Sequence, residues 1–263
     1  MKVMKGLIMC IQFFTSIPIP YEVPMDRRHI NMAIKMFPVL GLLQGFLYGI
    51  LAYALIGWTP LSALAIAFII WLSQVVITGG IHLDGWMDCS DAFFSYRDTE
   101  KRLEIMKDPR MGAFGVLSVI VILSARFLFI YEIVVMAVDV SYIFIVLIPF
   151  IGKMVMGVLL MSVKGAKEDG LGKLFKQATS SRTLWIYPIY LLLMLLLILL
   201  LWPKAMLGVL LVVIVAHLFI LVASRKIMNW FGGITGDVLG ASVEGVEILL
   251  WMTVWLWHYF AMG

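Results

Sequence analysis

The sequence predicts an all-α fold: a polytopic integral membrane helical bundle of about seven transmembrane helices, preceded by an interfacial or re-entrant N-terminal helix. Three observations carry this. Of 263 residues, 63% are hydrophobic and 14% are charged, against about 25% charged in an ordinary soluble domain. Apolar runs of about 20 residues, the length that crosses a bilayer, recur along the whole chain. Lys and Arg gather in alternate connections between those runs. No Pro/Ser-rich linker sets off a water-soluble part, so residues 1–263 are read as a single integral membrane domain.

The N-terminal segment MKVMKGLIMCIQFFTSIPIP has no small-residue cleavage site, and its apolar run of about 14 residues is too short to span. It is expected to lie in the interface or to re-enter. The apolar windows then place spans at roughly 37 to 57, 61 to 80, 113 to 135, 141 to 163, 183 to 202, 205 to 223 and 245 to 260. Cys10 and Cys89 are too few for a disulfide framework and are expected to be reduced or buried.

Orientation follows from the cations, because loops that carry them stay cytoplasmic. With the N-terminus inside, Lys2, Lys5, Arg27, Arg28 and Lys35 lie inside, as do Arg97, Lys101, Arg102, Lys107 and Arg110 of the 81 to 112 loop. Lys164, Lys167, Lys173, Lys176 and Arg182 fall in the next inner loop, and Arg225 and Lys226 in the last. The outer connections hold only Lys204, so the expected arrangement is N-in and C-out in the cytoplasmic (inner) membrane.

Chemistry enters where the second apolar run ends, in GGIHLDGWMDCSDAFF (79 to 94). An ionised carboxylate in hydrocarbon is costly, yet Asp84, Asp88 and Asp91 stand at this membrane boundary. At about 100° per residue, positions i, i+4 and i+7 share one helix face, so all three point the same way if the segment is helical. A second acidic stretch, GDVLGASVEGVEILL, brings Asp237, Glu244 and Glu247 to the same side of the membrane. On a helix Glu244 lies near the direction of Asp237, with Glu247 about 60° further round. Carboxylates gathered in this way repel one another unless a positive charge neutralises them. A hard divalent cation such as Mg²⁺ does so, using one or two carboxylates plus substrate phosphates.

The cations supply the complement. RDTEKRLEIMKDPR, from Arg97 to Arg110, is an amphipathic basic rim suited to an anionic substrate. Arg126 and Lys153 stand inside apolar runs, where a cation marks a function or an ion pair, and each is expected to face an anion or a carboxylate. Glycines in GGIHLDG, GGITGD and EDGLG permit close approach of backbone and ligand.

These residues carry a resemblance. TGGIHLDGWMDCSDAFFS followed by RLEIMKDPRMGAFGV is similar to the signature of the cobalamin synthase family, the adenosylcobinamide-GDP ribazoletransferases. FFTSIPIP resembles the family's aromatic N-terminal motif, AKEDGLG (166 to 172) its inner-loop motif and GGITGDVLGASVEGVEILL (232 to 250) its C-terminal motif. The motifs run in family order over residues 13 to 250, with one departure at Ala92, where the family usually has glycine.

The resemblance implies a Mg²⁺-dependent transferase of the cytoplasmic membrane that joins adenosylcobinamide-GDP to α-ribazole or its 5′-phosphate and releases GMP. Under that reading Asp84, Asp88, Asp237 and Glu244 hold the metal, Asp91 is the general base, and His82, Arg102, Lys107 and Arg110 complete the catalytic set. Expected partners are the two substrates, membrane lipid, and either other corrinoid-pathway enzymes or a second copy of the chain; no nucleic acid is expected. Blander roles stand beside these. His82 either bonds a substrate phosphate or satisfies a carbonyl, Glu247 either serves the site or pairs with Arg126 or Lys153, and the loop cations either meet substrate or only set topology. The rival class is a cation-coupled secondary transporter, in which the acids relay ions. Such carriers show internal repeats and a midplane site, and neither is evident here.

Overall fold

In the computed structural model the described residues are 2–137, 139, 141–166, 170–179 and 181–261; Lys167, Glu168 and Asp169 of the AKEDGLG motif lie outside them. The chain runs through α1 (Lys2–Phe14), α2 (Arg27–Trp58), α3 (Ala63–Thr78), α4 (Ile81–Phe94), α5 (Thr99–Ile105), α6 (Ala113–Val135) and α7 (Ser141–Ser162). It continues through α8 (Gly170–Ala178), α9 (Ser181–Leu184), α10 (Ile186–Leu201), a 3₁₀ turn (Pro203–Ala205), α11 (Met206–Phe231) and α12 (Gly236–Ala261). Among the described residues there is no strand, only a single parallel bridge between Gly165 and Ile234.

Six helical stretches are long and apolar enough to cross a membrane: α2, α6, α7, 182–201, 203–231 and α12. The seventh expected span, 61 to 80, is different. It is α3, followed by a bend of 85° into α4. The hinge is Gly79 and Gly80, both left-handed with φ of 63° and 72°, a conformation that Gly adopts without the Cβ penalty. Hydropathy alone could not show this turn, because both arms are apolar. Trp71 Nε1 donates to Leu123 O at 3.0 Å and Phe68 meets Phe127 edge to face, so α3 runs beside α6.

Two other boundaries move. α2 begins at Arg27 rather than 37, capped by Asp26, whose carboxylate accepts the N–H groups of Arg28 and His29. α12 begins at Gly236 rather than 245, so the second acidic stretch is helical from its first residue. α1 is too short to span, as the sequence predicts, and lies against α2, with Gly6 at Met32 and Cys10 Sγ donating to Ala33 O at 3.0 Å. Both cysteines are buried and neither forms a disulfide.

α7 is the central helix. α2 crosses it on Gly41, Gly45 and Gly49, spaced four apart on one face; Cβ atoms on the first two would lie 2.3 Å from Pro149 O and 2.1 Å from Val146 O. Small residues at this spacing let membrane helices pack backbone to backbone, where van der Waals contact replaces the hydrophobic drive that lipid removes. α10, almost entirely leucine and isoleucine, stays peripheral with its side chains mostly exposed.

Candidate active site

After the bend, α4 lies against the start of α6 and along α12 from Asp237 to Gly245. Its two faces differ. Trp86, Cys89 and Phe93 turn toward α11 and α12, and Phe93 packs on Trp230 with ring centroids 4.5 Å apart. Asp84, Asp88 and Asp91 occupy the opposite face, since i, i+4 and i+7 fall within about 60° of one another. The three do not converge on one point, however, because about 1.5 Å of rise per residue spreads them along the helix.

Asp91 meets α6. Its Oδ2 accepts Gly112 N–H and its Oδ1 accepts Gly115 N–H, both at 2.8 Å. A carboxylate there satisfies N–H groups that have no partner within the helix and lies at the positive end of the helix dipole. The side chain expected to act as base is thereby engaged through both oxygens.

Asp84 meets α12. It is exposed, and with the half-buried Asp237 it lines a cavity of about 300 Å³. Gly85 makes this meeting possible: a Cβ there would lie 2.5 Å from Asp237 O, so the two backbones touch. Thr235 Oγ1 caps α12 by accepting Val238 N–H at 3.1 Å. The loop before α12 pairs with the loop after α7 through Ile234 N–H to Lys164 O at 2.7 Å and Ala166 N–H to Ile234 O at 3.0 Å. Gly172, in the described part of the AKEDGLG motif, comes to the cavity beside Gly236.

The remaining wall is aromatic. Phe13 and Phe14 of α1, Phe37 of α2 and Phe175 of α8 line it, with Phe14 edge to face on Phe37 at 5.2 Å and Phe13 edge to face on Phe175 at 5.7 Å. Phe13 and Phe14 belong to a motif whose resemblance was legible but whose role was not. Phe37 and Phe175 carried no sequence signal, one being a further apolar residue of a long apolar helix and the other part of the apolar face of a short amphipathic one.

Behind the cavity lies a second group of charges. Glu244 sits two turns deeper along α12 than Asp237, about 10 Å at 1.5 Å per residue. Expected among the metal ligands, it is instead paired with the buried Arg126. Lys153, Glu247, Gln44, Tyr48 and Gln74 join this pair around a space of about 10 Å³, the scale of one water molecule. Two cations and two carboxylates thus balance inside the bundle, which answers why Arg126 and Lys153 stand in apolar helices. His82 lines both chambers: it stacks on Phe14 at 5.8 Å, and its Nε2 is 2.8 Å from Lys153 Nζ. An ammonium only donates, so Nε2 is the acceptor and the ring proton is assigned to Nδ1.

The loop cations expected at the site do not line this cavity. Arg102 donates from Nη1 to Trp230 O at 3.2 Å and lies over the Phe93 ring, on the aromatic side of α4. Arg110 engages Asp108 through Nε and Nη2 at 2.9 and 2.7 Å and thereby lowers that carboxyl to about 2, so the pair stays ionised at neutral pH. Lys107 is exposed.

For a metal the donor set is limited. Among the described residues no group of three or more His, Cys, Asp or Glu gathers to hold an ion. Asp84 and Asp237 across the cavity nevertheless fit Mg²⁺, which is held by one or two carboxylates with substrate phosphates and water completing its shell.

Comparison with known proteins agrees with the motifs. The sequence profile of the cobalamin-5-phosphate synthases matches residues 6–255. Among similar proteins are the adenosylcobinamide-GDP ribazoletransferases of Geobacillus sp. strain WCH70, 38% identical with 98% of each chain covered, and of Clostridioides difficile strain 630, 37% identical with 96% of this chain and 98% of the relative covered. That of Desulfitobacterium hafniense strain Y51 is 33% identical over 95% of this chain and 96% of its own. No solved structure matches. With a profile match over nearly its whole length and relatives aligned end to end, the chain belongs to the cobalamin-5-phosphate synthase family.

Proposed function

We propose that this protein transfers the phosphate-activated corrinoid of adenosylcobinamide-GDP to α-ribazole or its 5′-phosphate, releasing GMP, in the cavity between α4 and α12. The observation that carries this is the meeting of Asp84 and Asp237, some 150 residues apart in sequence, on one cavity of nucleoside size. Family membership supports the same activity and counts against the transporter reading.

A ribose hydroxyl attacks the phosphorus nearer the corrinoid, the bond from that phosphorus to the bridging oxygen breaks, and GMP leaves. Transfers of this kind depend chiefly on positioning and on charge placed where the transition state develops it. Asp84 and Asp237 would hold Mg²⁺, which when bound would supply charge neutralisation for the diphosphate and the departing GMP. One of the two carboxylates that line the cavity, Asp84 or Asp237, takes the hydroxyl proton on an oxygen not bound to the metal; Asp88, one turn from Asp84 on the same face of α4, is not among the residues lining the cavity. Asp91 holds α4 against α6, and His82 forms the wall between the cavity and the buried charges. Arg102, Lys107 and Arg110 act outside the cavity, as the positive-inside determinant of the loop.

The cavity faces the cytoplasm in this reading, supported by the Lys and Arg distribution. Two measurements test the proposal. Detergent-solubilised protein given both substrates is expected to release GMP only with Mg²⁺ present; no release under any divalent ion would remove the transferase reading. A single cysteine at Asp139 is expected to label from outside intact cells and one at Lys173 only after permeabilisation. The reverse pattern would separate the cavity from its soluble substrates.

A further inference from the structure

The aromatic wall has no part in phosphate chemistry, and its composition is unlike the rest of the site. Besides Asp84 and Asp237, His82 is the one polar side chain among the described residues lining the cavity, apart from the weakly polar thioether of Met156. The His82 ring is already stacked on Phe14, and its Nε2 is turned to Lys153. The cavity is therefore acidic at one end and hydrocarbon at the other. Phe37 and Phe175 are buried, whereas Asp84 is exposed, so the hydrocarbon end is the inner one.

We propose that Phe13, Phe14, Phe37 and Phe175 form the subsite for the planar, weakly polar aromatic base of the acceptor nucleoside, which enters ring first and presents its ribose to Asp84 and Asp237. This rests on the ribazole transfer proposed above and deepens it. Size is the first argument. A volume of about 300 Å³ lies at the bottom of the range for small-molecule sites. It accommodates one nucleoside and excludes a corrinoid macrocycle, which stays at the mouth.

Polarity is the second argument, and it separates the acceptor base from the guanine of the other substrate. Guanine carries an exocyclic amine, a ring N–H and a carbonyl, and burying these without partners costs roughly 2–7 kcal/mol for each group left unmet. Four phenylalanines offer none of those partners. A benzimidazole edge has no exocyclic polar group to strand, and its faces gain from stacked or edge-on rings of the kind that already surround the cavity, at centroid distances of 5.2 to 6.3 Å. Sites that lack hydrogen-bonding groups discriminate in this direction: they admit the apolar ring and penalise the polar one. An adenine-based acceptor, with its exocyclic amine, is then a poorer substrate than the benzimidazole one.

The test is two-substrate steady-state kinetics on the full-length protein in detergent or vesicles. Phe13→Leu and Phe14→Leu keep apolar bulk and remove the ring; Phe14→Tyr keeps the ring. For each leucine variant the KM for α-ribazole is expected to rise about tenfold, within the range that stacking on one aromatic ring provides. The KM for adenosylcobinamide-GDP is expected to stay within twofold, and Phe14→Tyr to restore the ribazole KM. The preference for α-ribazole over the α-riboside of adenine should fall in the leucine variants. Phe13 and Phe14 are both half-buried, and either leucine variant carries the test if the other does not reach the membrane. A raised KM for adenosylcobinamide-GDP with an unmoved ribazole KM would assign the wall to guanine or corrinoid and overturn the subsite while leaving the transferase reading intact. A fall in kcat with neither KM changed would make the rings structural, with the same consequence. Wild-type protein that releases no GMP with either acceptor would remove the transferase reading and this subsite with it.

Discussion

His82 Nε2 lies 2.8 Å from Lys153 Nζ, across the wall that separates the acidic cavity from the buried charges of Arg126, Glu244 and Glu247. The contact joins α4, which carries the candidate chemistry, to α7, the central helix of the bundle. Polar groups inside a membrane are costly unless they are paired, and here each buried cation has a carboxylate or an imidazole near it. The cluster therefore acts as a fixed anchor behind a mobile-substrate site, and it sets the first expectation.

Removing one member of the buried pair leaves the other charged in a dry interior. Arg126→Gln or Glu244→Gln alone is expected to cost about 3–5 kcal/mol, seen as a lower melting temperature and poor recovery from the membrane. Replacing both by apolar residues, Arg126→Met with Glu244→Leu, should recover most of that loss. Thermal unfolding followed by size-exclusion chromatography checks it; a double variant as unstable as the sum of the two singles would mean the pair does more than neutralise itself.

The meeting of Asp84 and Asp237 predicts non-additivity. If both act on one diphosphate, Asp84→Asn and Asp237→Asn each lower kcat/KM by orders of magnitude, and the double variant is little worse than the weaker single. The measurement is a double-mutant cycle at saturating Mg²⁺, with an assay sensitive enough to resolve residual rates. Additive losses in ΔΔG‡ would assign Asp237 to a separate task.

Close packing of α4 on α12 is expected to matter as much as the acids. A Cβ at Gly85 would lie 2.5 Å from Asp237 O, a backbone atom that cannot swing away. Gly85→Ala should therefore push the helices apart and lower kcat/KM at least tenfold, since small displacements of positioning groups carry large rate costs. Gly57→Ala is the control. No atom lies within 4 Å of that position, and a helical Gly replaced by Ala gains roughly 0.5–1 kcal/mol. Equal activity in both variants would show that the backbone contact is slack.

Asp91 gives the sharpest contrast between two roles. As the group that caps α6, its replacement by Ala should cost about 1 kcal/mol of stability while leaving turnover well above that of Asp84→Asn. Stability and kcat are measured on the same preparations. Asp91→Ala protein of normal stability and no activity would restore Asp91 to the chemistry.

What the sequence determined by itself was class, six of the seven expected spans, and family. Lipid cannot satisfy a bare backbone, so each crossing must be written as a long apolar run, and that requirement is local to each run. The helical period is local too, which is why Asp84, Asp88 and Asp91 were placed on one face before any packing was known. Motif order over most of the chain was likewise a property of the string, and the family match bears it out.

Tertiary structure decided what each charge does. Asp237 and Glu244 point in nearly the same direction along α12, yet one reaches the cavity and the other the buried pair, because about 10 Å of helix separates them and the cavity opens only on the first turns of α12. Asp91 faces α6 because the chain turns by 85° at two left-handed glycines, a bend that apolar composition does not encode. Arg126 finds Glu244, 118 residues away, and Phe14 finds Phe175 only as a shared wall. Such meetings depend on which helices pack together and at what depth, and in lipid that is settled by close backbone contacts at small residues and by buried charge pairing rather than by hydropathy, which is the same on every face that fat can touch.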